Sequence, residues 1–206
     1  MTMKLAPLGA LLALTACQTM APNAVVPQRT ADWQRVVTPA DRGRLRDWRR
    51  DWLRGLDQAT KAGHGAEIAR EGVLLQPDAA LPGSTLPNGD YRCRTIKLGA
   101  KSAGMLPYIA YPAFRCRVGS DGQLQSLAKV SGSQRPVGGL YPADQMRSVF
   151  LGTLVLGDER RALVYGQDHD RDVVGFVERI GPQRWRLVMP APTFESLTDV
   201  MELVPA

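Results

Sequence analysis

From Gly89 to its C-terminus the chain divides into short runs in which apolar and polar residues alternate, separated by turn-forming residues. A run of period two buries one face and exposes the other, so it is stable only when paired with neighbours over a core. Eight runs qualify: residues 90–98, 113–118, 124–130, 148–156, 161–165, 173–180, 184–189 and 199–204. Gly119-Ser120-Asp121-Gly122, Gly157-Asp158 and Gly181-Pro182 supply turns between them. About eight strands with close turns predict an antiparallel sheet, closed as a barrel or packed as a tight sandwich. The expected body is β-barrel-like, of a lipocalin-like kind, and no internal repeat is visible.

Ahead of this region the period changes. Thr38 suits an N-cap, Pro39 a first helical position, and Asp41 lies where the helix dipole favours an acid. Leu45, Trp48, Trp52, Leu56 and Ala59 follow at steps of three and four, and Gly63 is a natural stop. A shorter second helix is expected at residues 66–71, then a loop spaced by Pro77, Pro82 and Pro87. The tryptophan face should pack against the β body. Arg42, Arg46, Arg49, Arg50 and Arg54 gather on another flank, where Asp47, Asp51 and Asp57 stand at pairing distance along a helix. The alternative role for that flank is contact with anionic headgroups. The expected class is α+β: an N-terminal helix packed on an antiparallel barrel, in one domain over residues 32–206. Its helical part covers 38–72 and its β-rich part 89–206.

The N-terminus predicts an address. Lys4 precedes twelve residues, 5–16, that are almost wholly apolar. That is too few to span a hydrocarbon core, which needs about 20, and matches a secretory signal. Leu14-Thr15-Ala16-Cys17 resembles a lipobox. The resemblance implies cleavage of residues 1–16 and lipidation of Cys17 with diacylglycerol and a further acyl chain, which together make a lasting anchor. Gln18 in place of Asp favours the periplasmic face of the outer membrane. Residues 17–31, polar and proline-bearing, read as a tether.

Export reinterprets two other features. A net charge of +6, from 26 Lys and Arg against 20 Asp and Glu, would ordinarily suggest nucleic acid. An exported protein does not meet it, leaving anionic lipids or envelope polymers as acidic neighbours. With Cys17 lipidated, Cys93 and Cys116 form an even remainder in an oxidising compartment. They occur in matching settings, Tyr91-Arg92-Cys93-Arg94 and Phe114-Arg115-Cys116-Arg117, as two neighbouring strands bridged on an inward face would require. A metal or redox role has neither a CxxC spacing nor a nearby histidine in its favour.

Several longer stretches resemble a family. They are Thr38-Pro39-Ala40-Asp41-Arg42, Gly89-Asp90-Tyr91-Arg92-Cys93-Arg94, Gly132-Ser133-Gln134-Arg135-Pro136, residues 150–159, and Arg179-Ile180-Gly181-Pro182 continuing to Pro190. On these the chain is similar to the bacterial envelope family catalogued as domain of unknown function 4893. The resemblance implies no activity.

Chemical constellations are sparse. His64 lies between glycines at a helix end. His169 stands in Asp168-His169-Asp170-Arg171-Asp172, which lacks the glycine and distal Glu of a calcium loop and reads as a polar connection. A Ser-His-Asp set could be assembled from Ser131 or Ser133 with His169, but no nucleophile elbow accompanies it. Asp158-Glu159 reads as a solvated turn. No catalytic, cofactor or metal residues are assigned. If the barrel has a ligand mouth, Gly132-Ser133-Gln134-Arg135-Pro136 with Gly138-Gly139 beside Tyr141 is the expected place. The functional expectation is a membrane-anchored, non-enzymatic domain that binds a small ligand or an envelope partner. A hydrolase with a dispersed site and a structural component of an envelope assembly are the alternatives.

Overall fold

The computed structural model describes residue 1 and residues 30–206. Cys17 and nearly all of the tether lie outside the described residues. The strands are β1 (Gly89–Ala100), β2 (Tyr108–Ala110), β3 (Phe114–Asp121), β4 (Leu124–Lys129) and β5 (Gln134–Pro142), followed by β6 (Arg147–Leu156), β7 (Asp172–Gly181), β8 (Arg184–Pro190) and β9 (Ser196–Pro205). From β3 to β9 each strand pairs antiparallel with the next, and β1 pairs with β3. The last strand returns to the first, from Tyr91 opposite Pro205 to Ala100 opposite Ser196. The result is a closed eight-stranded barrel with no free edge along that seam. The ninth strand, β2, extends the other side of β1 past the end of β3, pairing Ile96–Leu98 with Tyr108–Ala110.

Three strand assignments differ from the sequence reading, the short β2 among them, which is not one of the eight alternating runs. Residues 161–165 alternate but belong to the connection between β6 and β7, not to the sheet. Conversely, β5 reads as a loop because Pro136, Gly138, Gly139 and Pro142 are residues that strands avoid. In the barrel their small size is used. Gly138 lies opposite Gly152 of β6, where any Cβ on Gly138 would run into the Leu151 carbonyl and the Gly152 Cα. The two backbones bend past each other at this point because neither residue carries a side chain.

Helix α1 (Pro39–Ala59) begins as expected: Thr38 Oγ1 accepts from the Asp41 N–H at 3.2 Å. It ends in a wide turn over Thr60–His64, where Gly63 at φ 98° turns the chain into α2 (Gly65–Glu71). The helix lies across the outer face of the barrel. Trp52 is fully buried among Ile96, Leu98, Val188 and Val200, and Trp48 meets Phe176 edge-on at 5.8 Å. Gly55 allows this approach, since a Cβ there would stand 2.9 Å from the Leu98 carbonyl oxygen. Strands β1 and β7–β9 are therefore covered on both faces and are buried along most of their length, with polar residues such as Lys97, Glu178, Arg186 and Asp199 buried among the apolar ones. The arginine flank pairs largely within the helix: Arg46 and Arg50 with Asp47, Arg50 and Arg54 with Asp51. Arg49 instead reaches Asp78 at 2.7 Å.

Cys93 and Cys116 are joined in a disulfide between β1 and β3, Cα to Cα 5.8 Å, both buried on the inward face. They lie on a diagonal of the ladder, Tyr91 opposite Cys116 and Cys93 opposite Phe114.

Candidate ligand-binding site

Alternation along each strand fixes which side chains enter the barrel, and the character of those side chains changes from one end to the other. Around the turns between β3 and β4 and between β7 and β8 the interior is filled. Tyr91 meets Trp185 edge-on at 6.3 Å, with Leu127, Phe150 and Leu203 in the same cluster. Towards the opposite end the same inward positions become polar. On β1, Tyr91 and Cys93 are followed by Thr95 and Lys97; on β4, Leu127 by Lys129; on β9, Leu203 and Met201 give way to Asp199. Thr95, Lys97, Lys129 and Asp199 line a cavity of about 240 Å³. Phe114, Leu154, Val173, Met189 and Met201 form its apolar wall.

The two lysines are held differently. Lys97 Nζ lies 2.9 Å from Asp199 Oδ2 and 3.3 Å from Glu195 Oε2. Burial acts to lower its pKa, but Asp199 and Glu195 outweigh burial and raise it. Asp199 is fixed in turn by a short hydrogen bond from Ser196 Oγ. Lys129 is 7% exposed and has no carboxylate within ion-pair distance among the described residues. Its ammonium donates to the Gln134 carbonyl at 3.0 Å and stands 3.9 Å over the centroid of the Phe114 ring. Burial, and then repulsion from Lys97, push its pKa down to about 8.

This amine opposes folding. In the unfolded chain it holds its proton to higher pH than in the barrel, so the native state gains stability as pH rises from about 8 toward the ordinary lysine value. Lys129→Met is accordingly expected to stabilise the protein by about 1 kcal/mol at neutral pH, water at the cavity mouth screening the rest of the burial cost. Urea unfolding checks this. A destabilised variant would mean that the amine is structural.

The cavity opens between the connections at this end, including residues 130–133, 157–171 and 191–195. In the last of these, Ala191 and Glu195 have φ of 44° and 68°. Such angles are uncommon outside glycine, and here they place Pro192, Thr193, Phe194 and Glu195 against the cavity. Several of the large apolar side chains left exposed lie on these same connections and on the one leading to β2: Met105, Leu106, Val130, Leu163, Val164 and Phe194. Of these, Phe194 borders the cavity itself, beside Glu195, Asp170 and Arg171.

The loop expected to form a ligand mouth is present in part. Ser133, Gln134 and Pro136 line the cavity. Gly138 is taken up by the contact with β6, and Tyr141 is buried on the outer face with Val37 and Leu45. The acidic cluster does not converge: Asp168 accepts from the Asp170 N–H, and Asp172 accepts from the Gly166 N–H. His169 is exposed, with Nδ1 3.1 Å from Asp172 Oδ2. It makes no hydrogen bond to Ser131 or Ser133 among the described residues, and Ser131 Oγ accepts from the Arg115 N–H. His64 stacks on Tyr108 at 5.1 Å. Among the described residues no group of three His, Cys, Asp or Glu side chains comes together in a way that could hold a metal. Glu159 accepts from the Leu156 N–H and pairs with Arg171, fixing the turn after β6.

Asp41, which the sequence places only near a helix dipole, is buried and has three donors. Thr38 Oγ1 donates at 3.0 Å, Arg44 Nη1 at 2.7 Å and Tyr165 Oη at 2.6 Å. The start of α1 is thereby tied to the connection between β6 and β7. Comparison with curated proteins and with solved structures gave no match. The profile described as Domain of unknown function (DUF4893) matches residues 33–203, from the turn before α1 to the last pairs of β9, and the chain belongs to that family.

Proposed function

We propose that this protein is an envelope lipoprotein, anchored through Cys17 at the periplasmic face of the outer membrane, whose barrel takes up a small molecule through its open end. The observation that carries uptake is Lys129, a desolvated cation with no carboxylate partner among the described residues, in a barrel filled from the far end. A barrel selected only for stability would replace it with an apolar residue. The disulfide supports export, since such bonds persist in oxidising compartments. Phe194 at the cavity and the wall of Phe114, Leu154, Val173, Met189 and Met201 suit a molecule that is itself partly apolar.

Native mass spectrometry of protein extracted gently from envelopes tests uptake. A bound small molecule is expected on the wild type and should be lost from Val173→Trp, which fills the cavity from its apolar wall. A wild type that carries nothing and acquires nothing from an envelope metabolite extract would overturn uptake. The anchor is tested separately by fractionation of Cys17→Ser. The wild type is expected in the detergent-soluble membrane fraction and the variant is not; a variant that stays membrane-bound would show that lipidation of Cys17 is not what holds it.

A further inference from the structure

If the barrel takes up a small molecule as proposed, the charges around the cavity define the class of that ligand. Lys97 is balanced by Asp199 and Glu195. Arg171, also on the lining, is paired with Glu159 and Asp168. Arg135 donates to the carbonyls of Gly132, Gly157 and Glu159, away from the interior. Asp172 is bound to Gly166 and His169. Lys129 is then the one cavity cation with no carboxylate partner among the described residues. An ammonium has three donors, and the Gln134 carbonyl takes one. With that carbonyl and the Phe114 ring on two sides, the ammonium keeps donor capacity toward the cavity for an incoming acceptor.

We infer, on the basis of that uptake, that the ligand is a compact monoanion, a carboxylate with a short apolar or aromatic body, whose oxygens seat on Lys129. The body would lie along Phe114, Leu154, Met189 and Met201, a wall whose two methionines adapt to varied shapes. The volume suits the size: about 240 Å³ gives room for a ring or a short chain. The neighbours limit the charge to one. Asp199, Glu195 and the Asp170 side chain at the mouth would repel a second negative charge, and Lys129 disfavours a cation. The anion would restore to Lys129 the partner that burial denies it.

Titration calorimetry of the full chain with benzoate, benzamide and benzylamine separates charge from shape, since the three are nearly the same size. At about pH 6, benzoate is expected to bind about tenfold or more tighter than benzamide, the range of a hydrogen bond to a charged group, and benzylamine weakest. The preference should vanish at about pH 10, where Lys129 has lost its proton, while benzamide binding changes little. Lys129→Gln should abolish the preference and keep benzamide binding. Benzoate and benzamide binding equally to the wild type would overturn the anion inference and leave uptake standing. A preference that survives in Lys129→Gln or at high pH would also overturn it, by assigning the anion to another group. No binding of any of the three would overturn the compact aromatic ligand, and the native mass measurement then decides uptake independently.

Discussion

Replacing Arg186 with Met is expected to cost about 3–5 kcal/mol of folding stability, the range for removing one partner of a buried ion pair. Arg186 and Glu178 are both fully buried, their side chains joined at 2.7 Å between β8 and β7. The same guanidinium donates to four carbonyls of the segment after α2: Val73 at 2.9 Å, Leu74 at 3.0 Å, Gln76 at 2.7 Å and Pro77 at 3.1 Å. Its carbon lies 4.6 Å from the Trp52 ring centroid. One side chain therefore joins the barrel, the helix and the connection between them. Methionine would fill much of the space but leave Glu178 with Arg147 alone among the described residues, and four carbonyls, that of Leu74 buried, without their donor. Urea denaturation of Arg186→Met should show the loss. The double variant Arg186→Met/Glu178→Leu should recover part of it, because the stranded charge is gone and the carbonyls are not repaired. A single variant within about 1 kcal/mol of wild type would mean that water reaches this layer and replaces the guanidinium.

The helix and most of the barrel are legible in the sequence because each rests on a local period. Thr38, Pro39 and Gly63 mark the limits of the first helical unit by their own backbone chemistry, and the Trp48–Trp52 face has only one side on which to bury. The strand β5 is not legible, because Pro136, Gly138 and Gly139 mean a loop unless a partner strand is known to need the space. Residues 161–165 fail in the opposite sense. Their alternation is real, but Tyr165 is committed to Thr38 and Asp41, a contact 124 to 127 positions away that no local window contains. The cavity belongs to the same category. The step from Cys93 to Thr95 to Lys97 puts a lysine on the inward face, and Leu127 to Lys129 does the same. Alternation tells which face a residue takes but not its height along the barrel axis. The β1–β9 register sets Lys97 beside Asp199, the registers of β1 with β3 and β3 with β4 place Lys129, and all three line one cavity. Ser133 and Gln134 are accessible to sequence reasoning because their loop chemistry suggests a mouth, whereas the buried cation that gives the mouth its specificity is concealed in a strand.

Cys93→Ala/Cys116→Ala is expected to lower stability by about 3 kcal/mol, chiefly by freeing the unfolded chain from a loop of 23 residues. The fold itself should survive. The seam between β1 and β9 runs from Tyr91 to Ala100 without the disulfide, and β1 and β3 keep five register pairs. The bond has a second position of consequence, at the floor of the cavity. Cys116 Sγ lies 3.9 Å from Met201 Sδ, and Cys93 pairs in register with Phe114, the ring beneath Lys129. Loss of the bond should therefore loosen the apolar wall before it unfolds the barrel, weakening binding of a neutral probe such as benzamide as well as of benzoate. Lys129→Gln, by contrast, should weaken benzoate alone. Reduction of the wild type with dithiothreitol should reproduce the stability loss and leave the double variant unchanged. A reduced wild type that unfolds at the same urea concentration as the oxidised one would show that β-pairing alone fixes these strands. In that case the disulfide would owe its place to the compartment and not to the barrel.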